Sequence, residues 1–380
     1  VPTQPKQPKK RIALMLSGGG ARAAYQVGVI QAISEWFPRA EASPFSIYCG
    51  ASAGALNVTA LACHASCFTL GAKKLTRLWR NLKTQDVFSS SVGGMLAHIG
   101  RQTFSRMQAD YHVAPSFALL NNRPLRHLLY RVIHYHRLEQ QILSGHLHGI
   151  AVTAANYQSG KSVTFFQGCS SIKPWQRARS QGVHCQLNTE HLLASSAIPI
   201  VFPASRIGHS FYGDGSIHLI SPLRPALKLG ADKVLCIDLG VNISAETPGL
   251  SAAPGLAALG GHLMDAIFAD TLSADIEHLE RMNSITAAMP PETAKKLELR
   301  QVDALYMSPS KSFDPLVKSS YTKMPIATRG LMRILGLSPQ NDATLTSYLL
   351  FEQQYISELI DMGYQDAQNR RSELMSFLFD

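Results

Sequence analysis

Cysteine is scarce in this chain. The six residues, Cys49, Cys63, Cys67, Cys169, Cys185 and Cys236 in 380 positions, follow no spacing of a small secreted disulfide framework, and several lie in apolar segments. A reducing compartment, the cytoplasm, is therefore expected. Cys63-His64 and Cys67 lack a second Cys/His pair at ligand spacing, which argues for a buried helix rather than a metal site. Charge is thin as well. With 16% charged and 46% hydrophobic residues, the chain can bury a large core in one big domain or two. A plain membrane span is also missing: the longest charge-free run, 42–72, contains Asn57, His64 and a Gly-x-Ser-x-Gly turn, and reads as a buried strand and helix. The chain opens on Val1 rather than Met, so upstream residues are expected to have been removed, and no secretory signal is visible.

Acidic residues are outnumbered, 26 to 36. The imbalance concentrates between Gly71 and Gln140, where eleven basic residues face Asp86, Asp110 and Glu139 for a net charge of +8. Such a face attracts phosphate groups, of nucleic acid or of an anionic bilayer. No nucleic-acid motif accompanies it. The expected partner is thus an anionic membrane surface, met peripherally, and not nucleic acid.

The chain is organised around Ser46-Ile47-Tyr48-Cys49-Gly50-Ala51-Ser52-Ala53-Gly54, a short apolar run ending in Gly-x-Ser-x-Gly ahead of a helix-compatible segment, 55–65. Strand, sharp turn and helix in this order hold a serine in a strained conformation with its Oγ presented at the sheet edge, which requires small neighbours. Ala51, Ala53 and Gly54 are small. The helix start directs backbone N–H groups at the same spot, favouring negative charge there. Ser52 is the candidate nucleophile, with Gly50 and Gly54 supporting its turn. A glycine-serine turn without chemistry is the plainer reading of the pattern alone.

Upstream, the tail 1–10 has nothing apolar to bury and is expected to be disordered. Ile12 to Leu16 forms a buried strand running into Ser17-Gly18-Gly19-Gly20-Ala21-Arg22-Ala23, and helical periodicity resumes at Tyr25, Val29 and Ile33. Three glycines between strand and helix let the backbone approach a ligand closely. Gly18-x-Gly20-x-x-Ala23 satisfies a dinucleotide fingerprint, but the acidic residue expected after a second strand is missing. An oxyanion hole for Ser52 fits better, with both glycine turns side by side at the carboxyl ends of neighbouring parallel strands. A tight turn without ligand is the third reading.

Over 69–83, Leu75, Leu78, Trp79 and Leu82 share one helical face and the basic residues the other. Such a helix suits a membrane surface, but more often lays its stripe on its own core. Residues 84–120 suggest a loop or cap, and a helix starts near Asn122 and Pro124. Segments 150–156 and 162–166 alternate as a hairpin, 189–196 reads as a helix, and 234–239 as a buried strand. Asp214, between Gly213 and Gly215, sits in a turn with little crowding. The chain beyond 240 adds a helix ending near Met282, a last strand at 304–308 and two amphipathic helices over 344–379.

Ser17-Gly18-Gly19-Gly20-Ala21-Arg22, then Gly50-Ala51-Ser52-Ala53-Gly54, then Asp214-Gly215 ahead of Leu229-Gly230-Ala231-Asp232 together resemble the patatin-like phospholipase family. The resemblance implies a three-layer α/β/α sandwich around a mainly parallel central sheet, with additional C-terminal helices. It also implies lipid acyl hydrolase activity on a phospholipid or other acyl ester, a Ser52-Asp214 dyad, and no cofactor or catalytic metal. Gly18, Gly19 and Gly20 would supply the oxyanion donors, with Arg22 steadying their loop and Gly215 following the base. Ala23 departs from the commoner glycine, and Pro222 stands where the family tends to have a proline. The catalytic domain is expected over 11–240, with the basic insertion at about 71–140 and a helical extension, 241–380, packing on it. Two competitors remain. One is a Ser-His-Asp triad using His218, His262 or His278, although His218 is only four residues from Asp214. The other is a non-catalytic, membrane-associated lipid-binding protein on the same fold.

Overall fold

The structure, a computed structural model, describes residues 10–38, 40–89, 118–240, 271–297, 299–321, 329–330 and 343–379. The strands are β1 (Ile12–Leu16), β2 (Phe45–Ala51), β3 (Gly149–Asn156), β4 (Lys161–Gly168), β5 (Trp175–Gln176), β6 (Ser180–His184), β7 (Ser205–Ile207), β8 (Ser210–Gly213), β9 (Lys233–Ile237) and β10 (Asp303–Met307). They join one sheet in the order β10-β9-β1-β2-β3-β4-β6-β5, with the β7–β8 hairpin pairing on β3. The first five strands of that order run parallel. The β3–β4 pair is antiparallel, the hairpin foreseen over 150–166.

β1 is apolar at every position because both faces of the sheet are covered. Leu14 and Leu16 point into one core with Tyr48, Val152, Leu235 and Ile237. Ala13 and Met15 point into the other with Ile47, Cys49, Ala151 and Cys236. The first core is roofed by α1 (Ala24–Glu35), α2 (Ala53–Ala62), α3 (Phe68–Arg80), α4 (Arg123–Val132) and α5 (Thr189–Ser195). The second lies under α6 (Arg224–Lys228) and α7 (Thr271–Ala288). This is the three-layer α/β/α arrangement around a mostly parallel sheet.

The apolar stripe of α3 faces inward: Leu75, Trp79 and the following Leu82 are buried, while Lys73, Lys74 and Arg77 stay exposed. Its own core thus covers the stripe, the commoner fate of such a helix. Among the described residues, no helix is long and apolar enough to cross a membrane.

The C-terminal part contributes a strand as well as helices. β10 extends the sheet beyond β9 in parallel register, Tyr306 opposite Cys236. Where two amphipathic helices were expected over 344–379, there are three segments: α8 (Ala343–Leu349), α9 (Gln353–Asn369) and a last helix, Arg371–Phe379. α9 crosses α1 at backbone contact, since a Cβ on Gly28 would stand 1.9 Å from the Ile360 carbonyl oxygen. The tail 1–9, most of the expected cap over 84–120, and 241–270 lie outside the described residues.

Candidate active site

The parallel register decides which residues meet. Leu16 pairs with Gly50 and Ala51 with Thr153, so the loops leaving β1 and β2 stand side by side at the carboxyl edge. There β1 lies between β2 and β9, and the order in which strands are added reverses about it. Open α/β sheets form their ligand crevices at such a point.

Ser52 occupies the turn from β2 into α2 with φ 52 and ψ −130, a conformation that costs a non-glycine residue on the order of 1–3 kcal/mol. The turn is clamped. The Ser52 N–H donates to Ser195 Oγ at 2.9 Å, and that hydroxyl donates to the Thr153 carbonyl of β3 at 2.6 Å. Gly54 brings α2 against the neighbouring loop, because a Cβ there would fall 2.4 Å from the Leu16 carbonyl oxygen. Gly50 is packed as tightly beneath the start of the helix.

Asp214 follows β8, whose Gly213 pairs with Ala155 of β3. Its backbone N–H donates to the Ala197 carbonyl at 2.9 Å, and its Oδ1 accepts from the Ser216 N–H at 3.0 Å across Gly215. The side chain is wholly buried. Burial raises its pKa from 3.8 to about 6, against the opposing pull of the Ser52 hydroxyl and of the Ser216 N–H and hydroxyl. Among the described residues Oδ2 meets no donor at hydrogen-bonding geometry. The Ser52 hydroxyl is nonetheless among the groups that act on the carboxylate, holding its pKa down against burial. Among the described residues no histidine figures among the groups acting on Asp214.

Gly18, Gly19 and Gly20 leave β1 buried. Gly20 lies at φ 55, in the left-handed region that favours glycine, and borders the same cavity as Ser52. Gly19 packs on the Leu239 side chain. Arg22 is buried, its Nε donating to Ser347 Oγ at 2.6 Å and its Nη1 to the Tyr348 hydroxyl at 3.1 Å. The loop is pinned from beneath by Gln26, which donates to the Ser17 carbonyl at 2.9 Å. Asn57 donates to Gln26 and accepts from the Trp79 indole at 2.8 Å.

The cavity at Ser52 is apolar and narrow, with a volume of about 70 Å³. Leu56, Leu75, Trp79, Leu128, Phe202 and Phe351 are among its walls. Among the described residues none of its lining side chains is charged, so the space suits a hydrocarbon chain.

Two of the candidate histidines are placed elsewhere. His218 lines a separate cavity with Arg177, Arg179 and Arg224. His278 lies on α7 and acts on Asp275, and His262 lies outside the described residues. Ser195, Thr153, Gln26, Asn57 and Tyr348 all hold the site, and sequence reasoning missed each of them. A serine or glutamine inside an ordinary helix carries no local signal of what it will touch.

Residues 14–227, more than half of the chain, match the family model described as Patatin-like phospholipase. A 61-residue stretch is 44% identical to the uncharacterized protein YjjU of Escherichia coli (strain K12), and it spans only 16% of each chain. VipD from Legionella pneumophila aligns over 92% of this chain and 67% of its own, at 15% identity and a TM-score of 0.37. Human GIVD cytosolic phospholipase A2, solved with methyl gamma-linolenyl fluorophosphonate, aligns over 97% and 59% respectively, at 11% identity and a TM-score of 0.45.

The raised pKa has a thermodynamic sign. Below about pH 4 the carboxyl is protonated in both folded and unfolded chains. Between about 4 and 6 only the unfolded chain ionises, and above 6 the native state carries the full penalty. That penalty is on the order of 3 kcal/mol. Asp214→Asn is expected to raise the unfolding temperature at pH 7.5, and the gain should vanish by pH 4. Chemical and thermal denaturation across this range test it; a variant destabilised at pH 7.5 would contradict it.

Proposed function

For a chain that belongs to the patatin-like phospholipase family, we propose the activity of a serine lipid acyl hydrolase of the phospholipase A or lysophospholipase type, working through Ser52 and Asp214. The observation that carries this reading is a strained serine at the edge of an apolar cavity, beside a fully buried carboxylate. Asp214 accepts the Ser52 proton as Oγ attacks the ester carbonyl. The N–H groups of the Gly18-Gly19-Gly20 loop receive the developing oxyanion, and Arg22 keeps that loop in place. The intermediate collapses to an acyl-Ser52 ester as Asp214 passes that proton to the departing alcohol oxygen; the regenerated carboxylate then deprotonates water, which attacks the acyl ester, and the proton returns to Ser52 Oγ as the fatty acid leaves. At about 6, Asp214 is a stronger base than an ordinary aspartate and is still ionised at neutral pH.

Among the described residues, a triad is disfavoured by the positions of His218 and His278 and by the absence of histidine among the groups acting on Asp214. A lipid-binding protein without turnover has no use for a strained serine, and burial of Asp214 beside it would be cost without function. The catalytic unit would comprise 11–240, with the remaining chain packed on it.

The same reading extends to a membrane surface. α3 and α4 form the outer wall of the Ser52 cavity through Leu75, Leu78, Leu125 and Leu128. Their opposite side presents Lys74, Arg77 and Arg131 around an open depression that also holds Asp86. Basic charge directly outside an apolar acyl site fits an anionic bilayer as the source of substrate. Cytoplasmic residence with peripheral attachment follows from this proposal.

Labelling by a fluorophosphonate probe tests the chemistry. The native protein and His262→Ala should label, Ser52→Ala should not, and Asp214→Asn should label at least about a hundredfold more slowly. A folded native protein that never labels, or one that loses labelling with His262, contradicts the dyad. Membrane attachment is tested with Ser52→Ala and sedimented vesicles. Phosphatidylserine-containing vesicles should bind it at low salt and release most of it at 0.5 M salt, a concentration on the order at which exposed charges are screened. Equal, salt-insensitive binding to neutral phosphatidylcholine vesicles would rule the basic face out.

A further inference from the structure

The family match ends at residue 227, yet the wall of the Ser52 cavity does not. Tyr348, Leu349 and Phe351 line it together with Gly20 and Ser52. Residues 346–351 are all buried, so this late segment runs through the interior. It touches the glycine loop at the backbone: a Cβ on Gly20 would stand 2.2 Å from the Tyr348 carbonyl oxygen. It also grips the loop through Arg22. Besides the hydrogen bonds to Ser347 and Tyr348, the guanidinium carbon lies 4.1 Å from the centre of the Tyr348 ring.

The far end of the segment is fixed independently. Thr84 Oγ1 donates to the Phe351 carbonyl at 3.2 Å and to Glu352 at 2.9 Å. The Phe351 ring packs near Trp79 and Phe88, with centroids 6.5 and 6.4 Å away. One short stretch therefore has two attachments, the oxyanion loop at Tyr348 and the inner lining of the cavity at Phe351.

Physical requirements give each attachment a task. A loop with three successive glycines has little intrinsic preference for one conformation, whereas oxyanion stabilisation depends on donors already aimed. A buried, doubly bonded and stacked guanidinium two residues after Gly20 supplies that rigidity from outside the loop. A cavity that receives a hydrocarbon chain is bounded by whichever side chains close it, and here a large ring, Phe351, does so.

We propose that Ser347–Phe351 is a working part of the acyl site: Ser347 and Tyr348 position the glycine loop through Arg22, and Phe351 selects the acyl chain by limiting the space open to it. The proposal rests on the acyl hydrolase reading. It assigns a specificity role to a C-terminal segment that lies beyond the family-matching region.

Purified full-length variants, assayed with p-nitrophenyl esters from butyrate to palmitate, test it. Phe351→Ala should raise the ratio of long-chain to short-chain kcat/KM at least about tenfold, in line with the discrimination that a few methylenes give in an apolar pocket. Phe351→Trp should shift the ratio in the opposite direction, so that one informative variant remains if the truncation fails to fold. Ser347→Ala should lower kcat for butyrate about tenfold with little change in KM, and Ser347→Thr should restore most of it. A chain-length profile unmoved by Phe351 variants that fold, or a Ser347→Ala effect confined to KM or to thermal stability, overturns the proposal. A native protein without turnover on any of these esters, and without fluorophosphonate labelling, would instead defeat the hydrolase reading on which the proposal rests.

Discussion

A carboxylate held entirely out of water beside a strained serine is the constraint on which the rest of the structure depends. Neither feature is stable in isolation, since desolvation drives the Asp214 charge out and the Ser52 backbone lies in a sparsely allowed region. Both persist because neighbouring strands and helices hold them more firmly than either can relax. Ser195 ties the Ser52 N–H to β3, and the Ser216 N–H and Ala197 carbonyl fix Asp214. The resulting proximity arises from the register of β2, β3 and β8, and that register is set by two separate apolar cores on the faces of the sheet.

Helices on the first core then place an apolar cavity beside that serine. α2, α3 and α4 donate leucines to a cavity with almost no polar lining, while α3 and α4 send their basic residues outward. The amphipathicity of α3 thus has two consequences. Its apolar stripe shapes the space beside Ser52, and its basic face meets solvent. The late segment around Tyr348 and Phe351 closes the remaining side.

Much of this was legible in the sequence because the signals were local. β1 reads as buried on both faces from five consecutive apolar residues, the Ser52 turn from Gly50, Ala51, Ala53 and Gly54, and the 149–168 hairpin from alternation about Gln158-Ser159-Gly160. What stayed hidden was non-local. Ser195 lies 143 residues from the N–H it receives, and Ser347 lies 325 residues from Arg22. No periodicity or turn chemistry encodes such pairings. The short strands β5 to β8 were missed because two to five residues give too little alternation to read, and the C-terminal stretch forms three helical segments rather than two because the chain breaks twice, at 350–352 and at Arg370.

The pH dependence of kcat/KM on a soluble acyl ester tests the central claim most directly, because it reports the ionisation of the free enzyme's essential base. One group with an apparent pKa near 6, active when deprotonated and giving a tenfold loss per pH unit below it, is the predicted result in both the native enzyme and His262→Ala. A profile flat to pH 5, or a midpoint near 4 as for a solvated aspartate, would contradict a buried Asp214 acting as the base for Ser52.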